Sequence, residues 1–177
     1  MSDNLWVFGY GSLMWNPGFA HRRAVKAKLH GAHRRLCIYS THYRGTKEKP
    51  GLVYGLDRGG SCIGLAFEVD HAEREEVVDY LRKREQISDV YLEVLRPVRL
   101  ADGAIVNAMT YVANAAHPQY APQIAHEATV DILRQSRGIA GPNCDYVIAT
   151  ALQLRKLGIV DRRTEALARE LERTLEA

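Results

Sequence analysis

The chain has 177 residues, 46% apolar and 25% charged, the make-up of one soluble globular domain large enough to bury its own core. Its 24 basic and 21 acidic residues leave a net charge of +3, which favours a small anionic ligand but is too weak and scattered for a nucleic-acid stripe. Cys37, Cys62 and Cys144 are far apart and give no zinc or disulfide pattern, so a reducing, cytoplasmic setting is expected; no leader pattern is present, and no apolar run nears the ~20 residues that span a bilayer.

Leu5–Phe8 is a short apolar run and reads as a buried strand. It stops at Gly9, within the segment Val7-Phe8-Gly9-Tyr10-Gly11-Ser12-Leu13. Glycines allow positive φ and close approach of backbone to a ligand, and successive N–H groups in such a turn form an anion-binding nest. A plain tight turn is the alternative reading of Gly-x-Gly. A dinucleotide fingerprint needs a third glycine where Met14 stands, and a long helix that the turn signal Asn16-Pro17-Gly18 prevents. The Gly-Lys-Ser/Thr of a P-loop is absent. The anion is therefore expected to be small.

Further strands are expected within Lys28–Tyr39, at Gly51–Leu56 and at Cys62–Val69. Asp70, with Glu73 three residues on, is a capping-box-like start for a helix running to Arg84 or Glu85. At about 100° per residue, Val77, Val78 and Leu81 form its apolar stripe, and Glu85 falls inside that stripe. Two readings stand. Either Glu85 faces apolar surroundings at the unfavourable end of the helix dipole, which raises its pKa toward that of a general base, or the helix frays first and Glu85 pairs with Arg82 or Arg96 at the surface.

A hairpin follows, Tyr91–Leu100 and Ala104–Val112 joined through Asp102-Gly103. Pro97 marks its first arm as an edge strand or the site of a bulge. The last third reads as helical. Ala121–Gln135 carries Ile124, Ala128 and Ile132 at helical spacing, and Asn143 in Gly141-Pro142-Asn143 is an N-cap for a helix that reaches about Leu157 and stops at Gly158. Leu167, Leu171 and Leu175 form a last stripe. Strands first and helices later predict a single α+β domain with a curved or closed antiparallel sheet.

The glycine loop and Glu85 occur with other motifs: Trp15-Asn-Pro-Gly-Phe19, Ser40-Thr-His-Tyr-Arg-Gly45 with Pro50-Gly-Leu52, Gly59-Gly-Ser-Cys62, Arg84-Glu85 after Tyr80-Leu81, and Gly141-Pro-Asn143 with Tyr146. In these the chain resembles the ChaC-type γ-glutamylcyclotransferases, in their glutathione-specific branch. The resemblance implies a small β-barrel with flanking helices. It also implies a lyase that cleaves glutathione to 5-oxoproline and cysteinylglycine without water, metal or other cofactor, with Glu85 as catalytic residue and Tyr10, Gly11, Ser12 and Leu13 as the substrate loop. Phe8 and Gly9, which lead into that loop, are expected to bind substrate with it. Two positions depart from the pattern: Met14 stands for a branched aliphatic residue, and Gln86 for a methionine common in bacterial relatives.

The chemistry suits these residue types. The α-amine of a γ-glutamyl compound can attack its own γ-carbonyl once a base has taken a proton from it, and one carboxylate can return a proton to the leaving nitrogen. The loop's N–H groups can hold the α-carboxylate or the developing oxyanion. Tyr146 either reaches the site with its hydroxyl or is a core tyrosine; Arg44 either pairs a substrate carboxylate or is a solvated loop arginine. His42 reads as structural, and none of the seven histidines stands at metal-ligand spacing. Other γ-glutamyl amines or dipeptides are alternative substrates. A non-catalytic binder of small acidic metabolites is the alternative function. No nucleic-acid or membrane partner is expected.

Overall fold

The computed structural model describes residues 4–85 and 88–175. Five strands, Leu5–Gly9 (β1), Arg23–Ser40 (β2), Gly51–Val69 (β3), Tyr91–Leu100 (β4) and Ile105–Ala113 (β5), close into a barrel in the order β1-β3-β2-β4-β5. The expected closed sheet is present, with one correction: it is mixed, not antiparallel. β1 runs antiparallel to β3 from Leu5↔Val69 to Gly9↔Leu65, but parallel to β5 at Trp6↔Ala108 and Val7↔Met109. The reason is parity. Five strands cannot alternate in direction around a closed ring, so one neighbouring pair must be parallel.

β1 is buried at every residue, as its unbroken apolar run requires. Gly64 of β3 sits against it: a Cβ there would run into the Gly9 carbonyl oxygen and lie 3.0 Å from Phe8 Cζ. Gly64→Ala is therefore expected to push the two strands apart and cost about 1–3 kcal/mol. Thermal unfolding checks this, at roughly 2–4 °C per kcal/mol for a chain of this size.

The hairpin is as expected. β4 and β5 pair without a break from Tyr91↔Ala113 to Arg99↔Ile105, and Gly103 in the turn has φ +91°. Pro97 carries no bulge toward β5. The ladder from β4 to β2 covers Val98 to Leu100, so Pro97, which has no N–H to donate, stands one residue beyond it. The two strands expected at Gly51–Leu56 and Cys62–Val69 are one, β3. Side chains of β2 hold the intervening segment: Arg35 pairs with Asp57 at 2.7 Å, and His33 Nδ1 lies 2.9 Å from the Gly59 carbonyl.

Helix α1, Arg74–Glu85, follows a single 3-10 turn at His71–Glu73. Asp70 does not cap it with its side chain. Its carbonyl receives the Glu73 N–H, and its carboxylate pairs with Arg22. Val77 and Leu81 are buried, Val78 half-buried.

The chain divides into two compact units, Met1–Arg35 with Gly55–Pro118, and Leu36–Tyr54 with Gln119–Ala177. The second holds the ends of β2 and β3, helix α2 (His126–Gln135), the two-residue strands β6 (Arg137–Gly138) and β7 (Gly141–Pro142), and helices α3 (Asn143–Lys156) and α4 (Arg162–Leu175). Helix α2 starts five residues later than periodicity predicts. Pro122 disfavours helix at Ala121, and Ala121 donates instead to Cys37 in an extended stretch. Its buried face is Thr129, Val130 and Leu133; Ala128 is exposed and Ile132 only half-buried. Leu167 and Leu171 of α4 are buried as expected; the side chain of Leu175 lies outside the described ones. Among the described residues, no helix is long and apolar enough to cross a membrane.

Candidate functional site

The first unit brings the glycine loop and Glu85 into one constellation. β1 delivers the chain into the loop, where Ser12–Met14 form a 3-10 turn, with Met14 N–H donating to the Gly11 carbonyl and Asn16 N–H to that of Ser12. Neither Gly9 nor Gly11 adopts positive φ. At Gly9 the requirement is space, because a Cβ would lie 2.9 Å from Leu13 Cβ. Phe8 and Leu13 are buried, and the Phe8 carbonyl accepts from Thr110 Oγ1 at 3.0 Å. The Tyr10 hydroxyl donates to the Tyr111 carbonyl at 2.9 Å, so the Tyr10 ring is tied to β5.

Arg34 is a functional candidate that the sequence reading missed. Its guanidinium is buried under the loop, Nε donating to the Tyr10 carbonyl and Nη2 to the Ile63 carbonyl, both at 2.6 Å. It sets the direction of the peptide that opens the loop. An arginine at an inward position of a strand was the available signal, hidden by its neighbours His33 and Arg35.

Glu85 is the last residue of α1, and 18% of its side chain is exposed. Burial pushes its carboxyl above the ordinary carboxylate value, and the Arg84 guanidinium, 3.4 Å away, offsets this only in part. The surface alternative does not match: the helix reaches Glu85, the ion pair Glu85 makes is with Arg84 rather than with Arg82 or Arg96, and Arg82 is engaged by Glu93 through two 2.9 Å hydrogen bonds. Glu93, held below the usual range by Arg82, accepts from the Tyr111 hydroxyl at 3.3 Å. Burial, and then the Glu93 and Glu85 carboxylates, raise the Tyr111 phenol well above its normal value. The site thus contains one carboxylate kept ionised and one pushed toward the neutral form, a separation of roles that acid–base chemistry uses.

Arg84 makes contacts that its place beside Glu85 in the sequence does not foretell. Its Nη2 donates to Ser12 Oγ at 2.9 Å, and its Nη1 is shared among the carbonyls of Asn16 (2.6 Å) and Pro17 (3.2 Å) and the Tyr80 hydroxyl (3.1 Å). One guanidinium therefore touches both the glycine loop and Glu85.

The family profile described as ChaC-like protein matches residues 5–175. The chain belongs to the ChaC-like family. It is 34% identical over 157 residues to the glutathione-specific γ-glutamylcyclotransferase of Escherichia coli K12, covering 89% of this chain and 68% of that protein. It is 32% identical over 151 residues to human glutathione-specific γ-glutamylcyclotransferase 1, covering 83% and 68%. The fold matches the crystal structure of a yeast γ-glutamyl cyclotransferase specific to glutathione with a TM-score of 0.87, at 21% identity, over 97% of this chain and 96% of that one.

The remaining expected site residues of this ChaC-like chain, Arg44 and Tyr146, lie in the second unit and are brought together there. The Arg44 guanidinium lies 5.6 Å from the Tyr146 ring centre and donates to the Pro142 carbonyl at 3.1 Å; the Tyr146 hydroxyl accepts the Tyr54 N–H at 3.1 Å. Gln86 lies outside the described residues.

Proposed function

We propose that this chain is a glutathione-specific γ-glutamylcyclotransferase in which Glu85 is the acid/base and Phe8–Leu13 seat the γ-glutamyl group. The observation that carries the reading is that a mostly buried carboxylate and the serine of the glycine loop meet on one guanidinium, in a chain of this family. The names of its relatives support glutathione as the substrate.

The substrate's α-ammonium cannot attack. The Glu85 carboxylate takes a proton from it, and the raised affinity for protons that burial gives it suits that task. The freed amine attacks the γ-carbonyl carbon, a five-membered ring closes, and an oxyanion develops. The first amides of a helical turn have no partner within it, which suits the Gly11–Leu13 backbone to an anionic oxygen of the substrate. The bond to the cysteinyl nitrogen then breaks as protonated Glu85 delivers its proton there. Over the whole reaction two protons leave the attacking nitrogen and two reach the leaving nitrogen, so no water is consumed. Holding the flexible γ-glutamyl chain in the attacking geometry supplies much of the rate.

The test is product analysis with purified protein. Glutathione is expected to yield equal amounts of 5-oxoproline and cysteinylglycine, and γ-glutamyl-alanine much less of its products. Comparable turnover of the two would replace the glutathione-specific reading with a broader γ-glutamyl one. Binding of glutathione without either product would leave only the binder.

A further inference from the structure

Arg84 has no assigned role, yet its contacts are those of a coupler. It leaves α1 one residue before Glu85, and 19% of its side chain is exposed. Its fork reaches four acceptors on a different part of the chain or one turn back on its own helix: Ser12 Oγ in the glycine loop, the Asn16 and Pro17 carbonyls in the turn after it, and the Tyr80 hydroxyl. Tyr80 in turn fills the space at Gly18, where a Cβ would meet its hydroxyl oxygen, and its ring packs edge-on to Phe19 at 6.3 Å. The remaining nitrogen, Nε, faces Glu85 Oε1 at 3.4 Å. A lysine could supply the charge but not this planar set of donors.

We propose that Arg84 is a positioning residue that couples the substrate loop to the catalytic carboxylate, its two terminal nitrogens fixing Ser12 and the Asn16–Pro17 turn while Nε orients Glu85. This rests on the function proposed above. Loop and carboxylate arise from elements far apart in sequence, and a productive site needs their separation held closely. A single side chain hydrogen-bonded to one and ion-paired with the other does this without ordering any further segment. It also places one cation against a carboxylate that must give up and regain a proton. Among the described residues, the charged and titratable groups that act on Glu85 are Arg84 from its own helix and the Tyr111 phenol from β5, which is itself bonded to Glu93 of β4, and Glu93 to Arg82. Arg84 is therefore the cation in direct reach among these groups, and it favours the ionised form of Glu85.

The experiment compares the full chain with Arg84→Met and Arg84→Lys. It uses two readouts: the pH dependence of 5-oxoproline release from glutathione, and the titration of the Glu85 carboxyl carbon by NMR, assigned with Glu85→Gln. Arg84→Met is expected to move both the acidic limb of kcat/KM and the carboxyl titration to higher pH, by on the order of one unit, and to raise KM about tenfold through the loosened loop. Arg84→Lys keeps the charge and loses the fork, so its limb should stay near wild type while its KM rises. An Arg84→Met protein whose limb and carboxyl titration coincide with wild type overturns the proposal. So does an Arg84→Lys protein with wild-type KM, a result that decides the matter even if Arg84→Met does not fold. If the wild-type chain releases no 5-oxoproline, the functional reading falls by itself, and the carboxyl titration still decides whether Arg84 governs Glu85.

Discussion

Glu85→Gln is expected to lower kcat for 5-oxoproline release by about 10²–10⁴-fold, the usual contribution of a positioned general acid–base, while substrate still binds. The substitution keeps the size and the hydrogen-bonding shape of the side chain and removes only its ability to take a proton. The expected effect on stability has the opposite sign. The folded protein raises the Glu85 carboxyl above its ordinary value because burial outweighs the nearby Arg84. The group's stabilising contribution is then complete below its unfolded value of about 4.3, and is lost as pH rises through the folded value, since an ionised Glu85 is the form that folding disfavours. Glutamine never ionises. Glu85→Gln should therefore have a Tm at or above wild type at pH 8, with the difference disappearing in acid. Calorimetric scans at the two pH values, run beside the turnover assay, check both signs. An inactive variant with a depressed Tm at pH 8 would mark Glu85 as structural, and retained turnover would remove it from the mechanism.

Asn143→Ala is expected to have the largest effect on stability. Asn143 is fully buried, its Oδ1 accepts the Leu52 N–H at 2.7 Å, and its Nδ2 donates to the Leu52 carbonyl at 2.8 Å. The side-chain amide thus pairs with β3 as a neighbouring strand would. Alanine leaves both backbone groups buried and unpaired, at about 1–3 kcal/mol each, so thermal unfolding should fall by several degrees at ~2–4 °C per kcal/mol. A Tm unchanged from wild type would mean that other groups take over both bonds.

Asn143 also marks a limit of sequence reading. In Gly141-Pro142-Asn143 it has the composition of an N-cap, but it is the first helical residue, and its side chain is turned to Leu52 rather than to the helix. Capping depends on the local conformation, whereas this amide is claimed by a strand 91 residues away in sequence. The contacts of Arg34 and Arg84 are hidden in the sequence for a similar reason. Each is a basic residue beside other basic residues, and only its acceptors distinguish it: the Tyr10 and Ile63 carbonyls for one, Ser12 and the Asn16–Pro17 turn for the other.

Features written in neighbouring residues were legible. The β4–β5 hairpin follows from alternation and Asp102-Gly103, helix α1 from its 3.6-residue stripe, and the place of Glu85 on that stripe from its spacing to Val78 and Leu81. The glycine loop after β1 was recognisable because a strand, two glycines and a serine are adjacent in the chain.

What the sequence by itself determined is therefore most of the local elements and the α+β class, and, through the family resemblance, the glycine loop and Glu85 as candidate site residues. Tertiary structure alone decided the parallel β1–β5 seam, the unbroken course of β3 past Gly59 and Gly60, and the buried face of α2. It alone also decided which arginines serve the loop. The physical reason is common to these cases. Periodicity and turn chemistry act between residues a few positions apart, whereas ring closure, burial and the acceptor that a guanidinium finds depend on segments that only folding brings together.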